Sequence, residues 1–364
     1  MKIGILTFVN APNFGAVLQS YASQKYISKL NNDAELINYF PGFKNSLPQQ
    51  SLFKKIFNKL DSLRHPFKTL YRKQKTAKLQ SFKTDFLNIS KNVYHNEIEI
   101  LKKDYDVIIA GSDQIWNTDL NSERKSFYLD FNTSVKKAGY AVSVGREELT
   151  QSDRDMIHRY IHNFDCLSVR EDSLKEYIYE QENIKCELVC DPVFLLDMDE
   201  WKQIAVTPNE KDYILVYAME YTDDLLNAVK KLKKQTNKKI YYINGGNSEH
   251  LNLPAKILNG LGPREFIGWI KNADIILTNS FHGAAFSIIF NNKLIVLEHS
   301  KRNERLKQLL NKCGNTDKLI ALTDNNYTID EKIINTEDAY QSLEEFISTS
   351  REYMKNICWG HMNG

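Results

Sequence analysis

At 364 residues the chain is long for one domain and comfortable for two, and an apolar share of 42% supports sizeable cores. A net charge of +2 gives no electrostatic case for nucleic acid as a partner. The five cysteines (Cys166, Cys186, Cys190, Cys313 and Cys358) are odd in number and lack CxxC spacing, so they read as reduced core thiols of a cytoplasmic protein with no metal site.

Strand and helix signals alternate along the chain, the pattern of parallel α/β sheets. Ile3–Phe8 reads as the first strand, too short in its apolar run for a signal peptide. A loop over residues 10–15 follows. Phe14, Val17, Leu18, Tyr21, Ala22 and Tyr26 then recur at helical spacing. Asp106–Ala110 is a buried strand closed by Gly111-Ser112-Asp113, and Lys137–Val142 is another, followed by Ser143. Cys166–Val169 and Glu187–Cys190 complete a first half, ended by Asp191-Pro192, and Asp197 starts a capped helix.

The second half restarts with a strand at Tyr213–Ala218, a helix over about Asp223–Gln235 and a strand at Lys239–Ile243, which ends in Gly245-Gly246. A short helix over Glu265–Asn272 precedes the strand Ala273–Leu277; Lys293–Leu297 is one more strand, and Asn303–Lys312 a helix. The tail Thr336–Trp359 is amphipathic and helical. The expected architecture is two Rossmann-like α/β domains around a cleft. The first spans residues 1–197, the second 198–335, and the terminal helix 336–364 is placed to cross back to the first. No apolar run reaches the roughly 18 residues of a membrane span.

From Ser51 to Lys78 nine basic residues (Lys54, Lys55, Lys59, Arg64, Lys68, Arg72, Lys73, Lys75, Lys78) face Asp61 alone, with Phe53, Ile56, Phe57, Leu60, Leu63, Phe67 and Leu70 interleaved. Such a stretch suits an anionic membrane surface; the alternative is a solvated helix packed on the first domain.

Thr278-Asn279-Ser280-Phe281-His282-Gly283 joins a buried strand to the apolar helix that begins near Ala284. That places His282 at a helix N-terminus on the carboxyl edge of a parallel sheet, where open α/β folds bind ligands and where backbone N–H groups favour an anion. An imidazole there is a candidate general acid or base. His158, His162 and His250 have no comparable setting.

Lys2–Gln19 (KIGILTFVNAPNFGAVLQ), Gly111–Asn117 (GSDQIWN), Ser168–Ser173 (SVREDS), Asp191–Leu196 (DPVFLL) and Thr278–Gly283 (TNSFHG) together resemble, in order, segments of the polysaccharide pyruvyl transferase family. The resemblance implies a glycosyltransferase-B-like fold. It also implies transfer of pyruvate from phosphoenolpyruvate onto a sugar of a surface polysaccharide as a ketal, with no cofactor beyond that co-substrate. Well-known members carry an arginine two residues before the histidine; here that residue is Ser280.

Phosphoenolpyruvate needs bidentate cations or a helix N-terminus. Arg170, at a strand's end, is the donor anchor by resemblance. Arg302 and Arg305 open a helix against its dipole, as though awaiting an anion, or are solvent-exposed. Asn279, Ser280 and Gly283 complete the donor side, which Gly245 and Gly246 border. His282 is the catalytic acid and Asp113 the partner that takes a hydroxyl proton, unless Asp113 merely caps a helix. The acceptor side comprises Asn13, Phe14, Gly15, Ser112, Gln114, Trp116 and Asn117. Trp116 either stacks on a pyranose or packs in the core, and Asn13 is equally a helix cap. The expected acceptor is a lipid-linked oligosaccharide, with 51–78 holding the enzyme at the inner membrane face. Two rival readings are a glycosyltransferase using a nucleotide sugar, with Glu298 on the ribose, and a non-catalytic glycan-binding protein.

Overall fold

The computed structural model of the chain describes residues 1–40, 66–96, 100, 104–121, 124–131, 134–246, 252–301 and 303–360. The first half begins with β1 (Lys2–Leu6), α1 (Phe14–Lys29), β2 (Asp33–Leu36), α2 (Pro66–Phe86), β3 (Val107–Ala110) and β4 (Lys136–Val142). It continues through α3 (Gln151–Tyr160), β5 (Cys166–Val169), α4 (Asp172–Glu182), β6 (Glu187–Leu188) and α5 (Met198–Ile204). The second comprises β7 (Tyr213–Ala218), α6 (Asp223–Gln235), β8 (Lys239–Asn244), β9 (Lys256–Ile257), α7 (Pro263–Lys271), β10 (Ile275–Thr278), α8 (Phe281–Ile289), β11 (Lys293–Val296) and α9 (Glu304–Lys312), with α10 (Thr336–Trp359) at the end.

The strands form two parallel sheets, ordered β2-β1-β3-β4-β5-β6 and β11-β10-β7-β8-β9. These are the two Rossmann-like units expected from the alternating pattern. Central strands read as unbroken apolar runs because helices cover both faces; every residue of β3, β7 and β10 is buried. The helices start where local chemistry stops the preceding turn. Asn13 caps α1, Thr150 and Asp153 form a capping box on α3, and Asp197 with Glu200 does the same for α5.

One continuous core crosses from the first sheet to the second. Phe14 of α1 stacks on Phe266 of α7 with centroids 4.8 Å apart, and Trp201 meets Tyr21 at 5.6 Å and Phe286 at 4.9 Å. Each such aromatic pair adds about 0.5–1.5 kcal/mol beyond its buried area. Helix α2 also bridges the halves: Phe82 packs on Tyr21, while Lys78 pairs with Glu265 of α7 at 2.6 Å. Helix α10 lies on both. It packs along α8, and its Ser350 hydroxyl accepts from the Cys190 amide at 2.9 Å. Arg351 and Tyr353 donate to Leu195 and Gly139 carbonyls at 3.2 and 3.3 Å.

Most of the basic stretch 51–78 lies outside the described residues; the part within α2 exposes Phe67, Leu70 and Tyr71. No described helix is long and apolar enough to cross a membrane. Strand β6 stops at Leu188, two residues before the expected end, and releases Val189–Asp191 toward the cleft.

Candidate active site

Four strand ends and one helix of the second half converge between the sheets. After β3, Gly111 adopts φ +123°, and a Cβ there would lie 3.0 Å from the Tyr140 carbonyl carbon and closer still to its oxygen. Only glycine makes that turn, which presents Ser112 and Asp113. The Ser112 carbonyl is held by Thr7 Oγ1 at 2.9 Å.

After β5, the Arg170 amide donates to Val142 at 3.0 Å, and the side chain is buried. Its Nη1 lies 2.7 Å from Asp191 Oδ2 and 3.4 Å from Ser112 Oγ, and its guanidinium carbon sits 4.5 Å above the Phe281 ring centroid. Beyond β6, Asp191 accepts from Val193 N through Oδ1 at 2.9 Å, leaving Oδ2 for the cleft.

From the second sheet, Ser280 N-caps α8, accepting from Gly283 N at 3.5 Å. The cap turns His282 toward the first half. Nε2 of His282 is 3.7 Å from Asp191 Oδ2, and the other side of the ring abuts Gly15 at the start of α1. Helix α9 adds Arg305, whose Nη1 is 3.4 Å from Asp113 Oδ1 and whose guanidinium lies 5.7 Å from the Phe281 centroid. A cavity opens beside Arg170, Asp191, Phe281 and Arg305 and continues between α9 and α10 past Leu309 and Phe346.

Burial lowers the proton affinity of His282; Arg170 and Arg305 add to the effect, and Asp191 and Asp113 oppose it without cancelling it. The imidazole is therefore neutral at neutral pH. Burial pushes the Asp113 carboxyl the other way, but Arg305, His282, Arg170 and the Gln114 amide together hold it below the ordinary carboxylate range. Two buried nitrogens, Arg170 Nη2 and His282 Nε2, have no hydrogen-bond partner among the described residues. Buried polar groups left unsatisfied in this way cost about 1–3 kcal/mol each unless something completes their network.

The structure brings together His282, Asp113, Arg170, Arg305, Ser112 and Gly15, with Ser280 and Gly283 supporting the His282 turn. It commits others to the core or to the turns. Trp116 is fully buried, stacks on Tyr128 with centroids 4.7 Å apart and donates to Phe127 O at 3.1 Å, so no face is left for a pyranose. Asn117 is consumed by the turn: it donates to Val144 O at 2.8 Å and accepts from Asp119 N and Arg146. Gln114 is buried against Gly145, whose carbonyl it holds at 3.2 Å. Asn279 pins the loop after β7 through Met219 N at 2.7 Å and Glu220 O at 3.3 Å. Asn13 caps α1 through Ala16 N at 2.7 Å, and Phe14 belongs to the shared core. These polar side chains satisfy backbone groups that the turns would otherwise leave orphaned. Arg302 lies outside the described residues. Glu298 accepts from Leu322 N at 3.2 Å and pairs with Lys307 at 3.4 Å, which leaves little of it for a ribose. Gly246 donates to Asn244 at 3.0 Å, and the chain beyond it, 247–251, is outside the described residues.

Three further residues around the cleft were not singled out from sequence. Asp191 opens one of the quoted segments directly after a strand, which was a usable signal. Phe281 lies beneath both arginines. Glu171 is buried, accepts from Ser143 Oγ and from Gly145 N at 3.2 Å, and burial raises its proton affinity against the pull of Arg170 and Ser143.

None of the curated proteins matches the chain significantly. Among solved structures, a putative UDP-N-acetylglucosamine 2-epimerase from Listeria monocytogenes is similar at TM-score 0.52 and 9% identity, over 98% of this chain and 90% of that one. A UDP-GlcNAc 2-epimerase from Methanocaldococcus jannaschii, in complex with UDP-GlcNAc and UDP, gives TM-score 0.47 and 16% identity over 96% and 94%. The Listeria likeness supports the two-domain fold and nothing finer. Residues 13–301 match the model of the polysaccharide pyruvyl transferase family. That match runs through every strand end that builds the cleft, and the chain belongs to the polysaccharide pyruvyl transferase family.

Proposed function

We propose that the protein transfers the pyruvyl group of phosphoenolpyruvate onto two hydroxyls of one sugar, forming a ketal. The observation that carries this reading is the pair of buried, unpartnered nitrogens of Arg170 and His282 on either side of Asp191. An open guanidinium edge in a low-dielectric site suits an oxyanion. An imidazole nitrogen beside it suits a proton transfer. Phosphoenolpyruvate offers both, as an anion whose methylene carbon must gain a proton.

Arg170 receives the carboxylate and Arg305 the phosphate, with Phe281 beneath both guanidinium groups. His282 Nε2 delivers a proton to the methylene carbon. The first sugar hydroxyl adds to the resulting cation, its oxygen forming the new bond and its proton passing to Asp113. Asp113 is a weak base, but a hydroxyl bound to a cationic carbon is strongly acidified, so a weak base suffices. The bond to the bridging phosphate oxygen then breaks, and phosphate leaves with the electron pair. The second hydroxyl closes the ketal and gives up its proton to the departing phosphate. One donor and one diol become one ketal and one inorganic phosphate.

The acceptor lies against the Ser112–Asp113 turn and the start of α1. We take it to be a sugar of a lipid-linked repeat unit of a surface polysaccharide. The basic stretch 51–78 would hold the protein at an anionic membrane face through the flank where α2 exposes Phe67 and Leu70.

The test is turnover of phosphoenolpyruvate with a panel of free and lipid-linked hexosides, reading phosphate release and acid-labile pyruvate on the sugar together. His282→Gln should lower the rate about 10²–10⁴-fold. Phosphate release without sugar-bound pyruvate, or turnover of a nucleotide sugar in its place, overturns the reading.

A further inference from the structure

His282 presents a difficulty for the chemistry just described. An acid must carry a proton, yet burial keeps this imidazole neutral. The arrangement around Asp191 contains a remedy. Its Oδ2 is shared unequally, lying 2.7 Å from Arg170 Nη1 and 3.7 Å from His282 Nε2. The aspartate is fully buried, so its charge has no water to answer to and is compensated by whichever cation is nearest. That cation is Arg170.

The charged groups facing His282 come from every element around it. Asp113 follows β3, Arg170 follows β5, Asp191 follows β6 and Arg305 stands on α9. The N-terminus of α1 meets the ring at Gly15, and His282 itself sits in the first turn of α8. Around the imidazole the two arginines offset the charges of Asp113 and Asp191, and Glu171 lies buried beside Arg170. Any oxyanion that binds Arg170 competes with Asp191 for the same guanidinium and breaks this balance.

We propose that Asp191 is a positioning residue that couples donor binding to protonation of His282: the donor's carboxylate takes over Arg170, and the released charge of Asp191 draws a solvent proton onto His282 Nε2. At 3.7 Å the carboxylate stabilises the imidazolium by charge without fixing the Nε2 proton in a hydrogen bond, so the proton remains deliverable to the methylene carbon. The acid is thus armed only when the donor is present, which restrains proton delivery in the empty site. Glu171, buried beside Arg170 with Oε2 unpartnered, is the other group able to take up that proton, so the experiment must separate the two.

The proposal rests on phosphoenolpyruvate being the donor. The experiment is calorimetric titration of the full chain with phosphoenolpyruvate in buffers of different ionisation enthalpy at about pH 7.5, above the phosphate's second ionisation near 6. Pairing with arginines keeps the ligand ionised, so protons taken up belong to the protein. Wild type should take up as much as one proton per ligand bound. Asp191→Asn retains an oxygen to cap Val193; it should bind at least as tightly, because the competitor for Arg170 is gone, with uptake near zero. His282→Gln should bind with uptake abolished. Binding to wild type without uptake overturns the coupling even if a variant fails to fold, and uptake unchanged in Asp191→Asn overturns it too. Uptake that survives His282→Gln assigns the proton to Glu171 and overturns it equally. Absence of phosphoenolpyruvate binding to wild type overturns the donor assignment, and the coupling with it.

Discussion

Gly15 and His282 touch across the boundary between the two halves. A Cβ on residue 15 would lie 2.8 Å from Cγ of the imidazole and closer still to Nδ1 and Cε1. The first turn of α1 therefore serves as the wall against which the imidazole is set. The glycine allows that approach because it has no side chain; its φ is not in the left-handed region.

Gly15→Ala should accordingly displace the ring from its present position beside Asp191. A displacement of about 1 Å at a reacting group costs on the order of 10²-fold in rate, and the overpacking costs roughly 1–3 kcal/mol. Turnover number and urea unfolding measured on the same preparation check both. A variant as fast as wild type would show that the ring's position is set elsewhere.

Arg170→Ala removes the cation from a buried pair and strands Asp191. Breaking such a pair costs about 3–5 kcal/mol. Adding Asp191→Asn should recover part of that loss, because the stranded charge goes with it. Denaturant unfolding of the two single variants and the double variant tests this. Additive losses would mean that the two side chains do not act as a pair.

Stability should fall on mild acidification, and His282 supplies part of the slope. Its folded-state pKa is lowered from the usual 6.5, so the unfolded chain binds more protons between the folded value and 6.5. The contribution is intact above 6.5 and is lost as pH falls toward the folded value, by up to about 1.4 kcal/mol per pH unit. Asp113, also lowered, adds a loss in the same direction below its usual 3.8. Unfolding free energies for wild type and His282→Gln across pH 5 to 7.5 should show the flatter profile in the variant. Identical slopes would contradict the buried neutral imidazole.

Trp116 offers a control on the acceptor side. Trp116→Ala should cost about 3–5 kcal/mol as a core truncation, whereas folded Trp116→Phe should keep the acceptor KM within about twofold. A large rise in KM for Trp116→Phe would restore the tryptophan as a sugar platform.

Much of the fold was legible because the central strands are unbroken apolar runs. Tyr213–Ala218, Cys166–Val169 and the helices Asp223–Gln235 and Thr336–Trp359 stand where periodicity placed them. Strand β2 escaped because Asp33-Ala34-Glu35-Leu36 is a short acidic edge, stabilised by its ladder to β1 rather than by propensity. Strand β9 is two exposed residues with no pattern to read. Helix α3 did carry a signal, Thr150 with Asp153 three residues on, whereas α4 has only Leu174 and Ile178 as a buried stripe.

In the cleft, strand-end position anticipated that His282, Arg170 and Asp113 come together, since chain direction dictates which end of a parallel strand faces it. It did not anticipate that Trp116 and Asn117 are buried and bonded to backbone carbonyls. A turn places successive side chains inward and outward, and the sequence does not tell which of them the core claims. Asp191 was not singled out because its partners in the cleft, Arg170 and His282, are far away in sequence.

The central claim is that the cleft between the sheets holds phosphoenolpyruvate through Arg170, and thermal unfolding tests it most directly. A ligand that binds only the folded state raises the midpoint, by an increment set by its concentration over Kd. The purified protein should melt higher with phosphoenolpyruvate, show no shift with a panel of nucleotide sugars, and lose the phosphoenolpyruvate shift in Arg170→Ala. A shift with one nucleotide sugar and none with phosphoenolpyruvate would contradict the account.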